Sequence, residues 1–381
     1  MQTTRTHYQR YRLIGSLLFQ MGIAGSVIGQ GQTNPASTWD FRGQLELSGS
    51  LSRYQQIWSR RGTARYLPSI EYQHQLSEAR TLGADFSVIL FADSIKKPAP
   101  ENVDLYRLSF RYATPQSEWQ FGLQKINFGP AQILRSLMWF DRLDIRDPLK
   151  ATTGVWGLRW RYNYLNNANA WLWVLYGNDG TKGMETVPTA QGRPELGGRF
   201  QIPVRSGEVA MTIHQRALAK PFDKDETRVA FDGRWDFILG WWLEAVWHNN
   251  SPDLKYAVTG GVDYTFGIGN GLYTILEHKT NFFPTSNRFP EMNLTGLTHW
   301  HGYDLLKVSA LMLTYPLTLF DNLVAVGYYS WATNEFFEYL GWQRTFDRVI
   351  INLSFFNYPG PTLATGKMAG SGAQLMLIYN H

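Results

Sequence analysis

The chain has 381 residues, 44% of them hydrophobic and 15% aromatic, with no cysteine and a formal net charge of +5. Disulfides and thiolate metal sites are thereby excluded. Long basic blocks are missing, so the footprint of a nucleic-acid binder is absent, and no uncharged apolar run reaches the ~20 residues of a membrane-spanning helix.

At the N-terminus, Arg5, Arg10 and Arg12 precede the apolar, small-residue run LIGSLLFQMGIAGSVIG. Val27 and Gly29 suit the two small-residue positions before a cleavage point. Residues 1–29 are therefore expected to be an export signal, followed by one mature domain over 30–381. Without the three arginines the charge falls to about 5 − 3 = +2, so no basic partner-binding surface is implied.

From residue 40 onward the pattern has period two, the period of a strand with two unlike faces. FRGQLELSGSLS sets Phe41, Leu45, Leu47 and Leu51 against Arg42, Gln44, Glu46, Ser48 and Ser50. LYRLSFRY sets Tyr106, Leu108, Phe110 and Tyr112 against Arg107, Ser109 and Arg111. VWGLRWRYNY sets Trp156, Leu158, Trp160 and Tyr162 against Arg159, Arg161 and Asn163. EVAMTIHQR and RVAFDGRWDF repeat the pattern, with His214, Arg216, Arg228 and Asp232 on the polar side. About eighteen such segments are expected, at 40–56, 65–77, 80–92, 103–113, 117–127, 153–164, 168–177, 194–202, 207–216, 226–237, 239–248, 254–266, 271–279, 303–315, 321–331, 335–343, 346–357 and 371–380. Their lengths sit near the ~9–11 residues of a tilted membrane-crossing strand.

The links alternate. Short turn-rich ones (SEA, TPQS, LNNAN, PVRSG, GIGNG, RTFD) separate mostly longer ones at 93–102, 128–152, 178–193, 217–225, 280–302 and 358–370, with two short exceptions at 249–253 and 332–334. A soluble sandwich of this length would divide into domains joined by a linker, and none is visible. The expected fold is all-β: a transmembrane antiparallel barrel of 16–18 strands, which satisfies its backbone internally and leaves no edge. Barrel-assembly machinery, periplasmic chaperones and outer-membrane lipid are its expected partners.

The third long-side link, 128–152, is mixed in charge and aromatic. It is expected either to fold into the lumen as a constriction or to pack on the rim, with Trp139 and Phe140 covering apolar surface. In the first case Lys125, Arg135, Trp139, Asp141, Arg142, Asp144, Arg146 and Asp147 line the gap, facing Arg107, Arg111, Arg159 and Arg161 on the wall. Basic residues outnumber acidic ones there, which predicts a preference for anionic or neutral polar solutes.

The overall pattern over 38–381 resembles the porin-type outer-membrane barrels of Gram-negative bacteria. A narrower likeness covers 118–164. FGLQKINFG, a loop with MWFD, and GVWGLRWRY are similar to the alginate-export porin families, with Gly122, Gln124, Gly129, Trp139 and Asp141 at the matching positions. Lys125 departs from that pattern, as does the longer following loop. The likeness implies passive diffusion of polar solutes, or alternatively export of an alginate-like polysaccharide.

Other constellations point elsewhere only weakly. His299 and His301, with His278, lack the carboxylate that would complete a metal site, so no metal and no cofactor is expected. An outer-membrane hydrolase would need a Ser–His pair; His214 with Ser206 or Asp232 is the available set. A barrel with interlocked charges filling its bore is the third alternative.

Overall fold

The computed structural model describes residues 37–54, 56–94, 102–141, 151–152, 154–252, 254–283, 305–358 and 370–381. The expected segment 1–29 lies outside these residues, as do Arg142, Asp144, Arg146, Asp147, His299 and His301. Among the described residues there are eighteen strands and no helix. They are β1 (Ser37–Tyr54), β2 (Ile57–Ser77), β3 (Arg80–Asp93), β4 (Asn102–Ala113), β5 (Ser117–Gln124) and β6 (Val155–Asn163). Then come β7 (Asn169–Leu175), β8 (Glu195–Val204), β9 (Gly207–Ala217), β10 (Asp225–Asp236), β11 (Gly240–Asn249) and β12 (Tyr256–Phe266). The last are β13 (Leu272–Phe282), β14 (Leu305–Pro316), β15 (Asp321–Ser330), β16 (Glu335–Thr345), β17 (Val349–Tyr358) and β18 (Gly370–Asn380).

Every strand pairs antiparallel with its chain neighbours, and β1 pairs with β18 from Gln44↔Asn380 to Arg53↔Ser371. The sheet is thus a closed barrel without an edge. Closure lets the ladder take up the backbone groups that would be orphaned in hydrocarbon, apart from the bulges, which is what lets strands of modest hydropathy cross a bilayer.

Paired residues share a face, so the register assigns inside and outside. Phe110, Phe121, Leu158, Met211, Ile213 and Phe231 are exposed on the outer wall. Their chain neighbours Ser109, Thr212, His214 and Asp232 are buried on the inner wall. The expected faces hold on β1, β6, β9 and β10. Tyr106 leaves its expected outer row: the register jumps from Ser87↔Arg107 to Val88↔Leu105, which leaves Tyr106 as the unpaired residue of a bulge. Its hydroxyl then accepts a hydrogen bond from Thr152 N at 3.2 Å.

Several boundaries also differ from expectation, two of them with consequences. β2 starts at Ile57 rather than 65, because IWSRRGTA continues the pairing with β1 down to Tyr54↔Ile57. β5 ends at Gln124 rather than 127, so Lys125 opens the long link.

The larger difference lies on the inner wall of β14–β18. The sequence predicts charged residues facing inward strand after strand. The register instead turns Val308, Ala310 and Met312 inward on β14, opposite Ser330, Tyr328 and Val326 on β15. Phe337 and Tyr339 continue the row on β16, Phe356 and Tyr358 on β17, and Met376 and Ile378 on β18. Of the inward positions on these five strands, only Glu335, at the loop-side end of β16, is charged.

Candidate constriction site

The segment after β5 begins with a backbone that side chains would obstruct. Gly122 has φ +114°, and a Cβ there would run into the Leu108 carbonyl oxygen. Gly129 has φ +93°, and a Cβ there would meet the Glu244 carboxylate. Gln124 is fully buried and donates from Nε2 to the carbonyls of Gln120 (3.0 Å) and Gly157 (3.1 Å), tying the end of β5 to β6. The chain then turns inward.

Residues 131–137 arch against the far wall. Glu244 on β11 accepts backbone hydrogen bonds from Ala131 N (3.0 Å), Ser136 N (2.6 Å) and Leu137 N (3.2 Å). Glu277 on β13 accepts from Gln132 N (2.7 Å), Ile133 N (3.0 Å) and Leu134 N (2.5 Å). Trp242 Nε1 donates to the same Glu277 carboxylate at 3.1 Å. Two carboxylates thus take up six backbone N–H groups that have no ladder partner, and a buried donor without an acceptor is costly. Thr259 Oγ1 donates to Leu134 O at 2.8 Å, so Ser136 Oγ is the donor in its 2.7 Å bond to Thr259. Lys279 Nζ reaches Arg135 O at 3.1 Å. β5 and β13 are eight places apart in a ring of eighteen. The segment therefore crosses the lumen nearly along a diameter.

Apolar packing fixes it from two sides. Ala131, Ile133 and Leu134 join Trp242, Ile275, Tyr328, Phe337, Phe356 and Tyr358 in one cluster. Ile126, Phe128, Leu137, Trp139 and Phe140 join Val155, Trp173, Leu175 and Val246 in another. Trp139 meets Phe128 edge-on at 5.5 Å, and Phe140 meets His214 edge-on at 5.0 Å. The described part of this segment is mostly dry. Both readings of Trp139 and Phe140 meet here: they cover apolar surface, and they do so inside the barrel.

A second inward segment lies after β7. Met184 N donates to Met138 O at 3.2 Å, and Met184 packs against Leu306 on β14. Lys182 pairs with Glu185 (3.1 Å) and with Glu195 on β8 (2.9 Å). Glu185 also meets Arg216 (3.1 Å) and Arg228 (3.0 Å), and Glu226 meets Arg228 (2.9 Å) and His248 (3.1 Å). These groups are nearly or wholly out of solvent. His214 accepts from Trp173 Nε1 at 3.2 Å and meets Glu195 at 3.1 Å. Both ring nitrogens are thus engaged by groups other than Ser206 or Asp232; Asp232 instead pairs with Arg199 at 2.6 Å.

The sequence-predicted site residues divide accordingly. Arg135 and Asp141 are buried and 3.7 Å apart, and Asp141 also acts electrostatically on Arg107 of the wall. Burial raises the Asp141 carboxyl above the ordinary range, against the pull of Arg135 and Lys125. Lys125 is the exposed member, its ammonium lowered chiefly by partial burial. Arg107 donates to Thr152 O at 2.9 Å, holding the returning chain. Arg159 pairs with Glu118 at 2.7 Å, and Arg111 stands 3.9 Å from the same carboxylate. Arg161 bonds only Asn163 Oδ1 (3.0 Å) and lies over the Trp171 ring, with no carboxylate at ion-pair distance among the described residues. Sequence reasoning missed Glu244, Glu277, Thr259, Lys279, Lys182 and Glu185. Glu244 and Glu277 were legible as lone acids on inward positions of WWLEAVW and YTILEHK, but their partners are more than a hundred residues away in the chain.

The architecture is that of the outer-membrane porins. Among solved structures, OccAB4 of Acinetobacter baumannii is similar with a TM-score of 0.57 and 11% identity, over 91% of this chain and 100% of that one. OmpF of Salmonella typhi, solved with daunomycin, is similar with a TM-score of 0.57 and 8% identity, over 92% and 99%. The outer membrane channel DcaP of Acinetobacter baumannii gives 0.50 and 13%, over 93% and 100%. No family model and no curated protein matches the sequence.

Proposed function

We propose that this protein is an outer-membrane channel of a Gram-negative bacterium, through which small or medium polar solutes diffuse passively. Residues 1–29 direct export in this reading, and periplasmic chaperones and the barrel-assembly machinery deliver the chain to outer-membrane lipid. The observation that carries the proposal is the arch 131–137, held across a closed, lipid-banded barrel by Glu244 and Glu277. A segment so placed narrows the bore without closing the whole section. Arg61, Arg65, Arg111, Glu118 and Arg159 on the β2–β6 wall remain partly exposed.

The residues left to act on a solute are Arg107, Arg111, Lys125, Arg159 and Arg161, with Asp141 behind them. Residues 102–141 and 155–163 contain six basic side chains and three acidic ones, a surplus of 6 − 3 = 3 positive charges. In a narrow aqueous gap with low-dielectric walls such a surplus favours anions. The reading asks for no bond-making chemistry from the chain.

Planar-bilayer recording tests it. The purified protein gives discrete conductance steps in KCl. Glu244→Ala with Glu277→Ala frees the arch and enlarges the step, while heat-modifiable gel migration reports that the barrel still folds. An unchanged step in a folded double variant removes the constriction from the proposal; no steps from the parent protein removes the channel.

A further inference from the structure

The two carboxylates that hold the arch have donors on every side. Glu277 takes Gln132 N and Trp242 Nε1 on one oxygen, and Ile133 N and Leu134 N on the other. Glu244 takes Ala131 N on one oxygen, and Ser136 N and Leu137 N on the other. A protonated carboxyl carries an O–H donor of its own. None of these partners can accept it, so a proton on either group sets donor against donor and weakens the hold on the arch. The arch therefore depends on both side chains staying ionised, and both are buried. Two charges out of water need positive charge close by.

Two cations act on these carboxylates, and they are not equally free to do so. Arg135 acts on Glu244 but shares its charge with Asp141 at 3.7 Å. Lys279 acts on both Glu244 and Glu277. Asp232 opposes them at Glu244, but it has its own partner in Arg199 at 2.6 Å. The ammonium of Lys279 makes one hydrogen bond, to Arg135 O at 3.1 Å, and no ion pair at contact distance among the described residues. Burying a charge only to bond one carbonyl is costly, since a neutral amide would serve. The pair of glutamates supplies a reason for the charge.

The register places Lys279 for this task. Glu244, Thr259 and Lys279 are direct partners in one row across β11, β12 and β13. Glu277 lies two residues before Lys279, on the same face. The row answers the arch group for group: Glu244 takes its N–H groups, Thr259 donates to Leu134 O, and Lys279 donates to Arg135 O. The N–H groups of the arch also favour ionised carboxylates, but only while it is seated. Lys279 belongs to the wall and acts whether the arch is seated or not.

We propose that Lys279 is a positioning residue of the constriction, its ammonium holding Glu244 and Glu277 in the acceptor-only form that seats the arch. This rests on the channel reading for its effect on conductance, though not for its effect on the arch.

The test uses the full barrel and two readouts. In nanodiscs, amide hydrogen exchange over residues 131–137, compared between proteins at the same pH, reports seating. In planar bilayers the KCl step reports the bore. Both are expected to rise as falling pH protonates the carboxyls. Lys279→Gln can still donate a hydrogen bond but has no charge. It is expected to move the rise to higher pH by about 1 unit or more, the effect of one close opposite charge on a carboxyl. Lys279→Arg is expected to restore the parent profile. Lys279→Met carries the same expectation and takes the place of Lys279→Gln if that variant shows no heat-modifiable folding. Exchange that is faster by the same factor at every pH overturns the proposal, because the hydrogen bond alone then matters. So does a neutral variant whose profile coincides with the parent's. The expected shift in exchange from a barrel that gives no conductance steps keeps the role of Lys279 and overturns the channel.

Discussion

Two sectors of the same inner wall use charge in opposite ways. On β8–β11, Arg216, Arg228, Glu195 and Glu226, together with Glu185 from the segment after β7, have side chains no more than 3% exposed, and each meets at least two basic or acidic partners, counting the His214 imidazole for Glu195. On β2–β6, Arg61, Arg65 and Arg159 are 13–18% exposed and Arg111 36%, with Arg111 at the limit of ion pairing. The first sector is closed by the segment after β7, and its charges neutralise one another. The second faces the bore, and its charges keep part of their field. Fully buried ion pairs on a barrel wall therefore mark where the lumen is filled, and partly exposed ones mark where it is open.

Substitution distinguishes the sectors most strongly through stability. Arg228→Leu removes one of the two arginines that Glu185 and Glu226 share out of solvent and is expected to cost about 3–5 kcal/mol, read as a lowered urea midpoint for unfolding from lipid vesicles. Arg111→Leu, in the open sector and 3.9 Å from a partly exposed Glu118, is expected to cost no more than about 1 kcal/mol. Equal losses would erase the distinction. The next effect calibrates the open sector against lipid: Leu158→Arg, one residue from Arg159 but on the outer wall, is expected to cost about 2–4 kcal/mol if it lies near the midplane. Arg159→Leu should fold nearly as the parent does. If the two behaved alike, the faces of β6 would be misassigned.

The smallest effect is electrical. Asp141 is the one acid that Lys125 and Arg135 both face among the described residues, and burial raises its pKa. On acidification it takes up a proton at a higher pH than an ordinary carboxyl, and the surplus of positive charge grows. Anion preference should therefore rise as pH falls through a range above the usual carboxylate pKa. Asp141→Asn should show the greater preference already at neutral pH, with a flatter profile. A reversal potential with the same pH dependence in both proteins would place Asp141 outside the conducting path.

The sequence was most legible where the two faces of a strand differ. Met211 and Ile213 against Thr212 and His214 leave no ambiguity about which side meets lipid, and the same holds for β6 and β10. It was least legible on β14–β18, where Leu305-Leu306, Phe336-Phe337 and Phe355-Phe356 put apolar residues on both faces. Period two cannot choose a face there, and only the register did. The link after β5 announced itself by length and composition. Its anchoring did not, because Glu277 is 145 residues from Gln132 and recognises backbone N–H groups, which carry no residue code. Gly122, Gln124 and Gly129 launch this segment, and Trp139 helps to seat it.

The anchoring also sets an order in time. The arch leaves β5, but its acceptors arrive with β11 and β13. A barrel lacking those two strands has a seven-residue arch with no carboxylates to receive it, whichever end of the sheet is built first. The narrowing is therefore conditional on β11 and β13, fitted from within once that part of the wall exists.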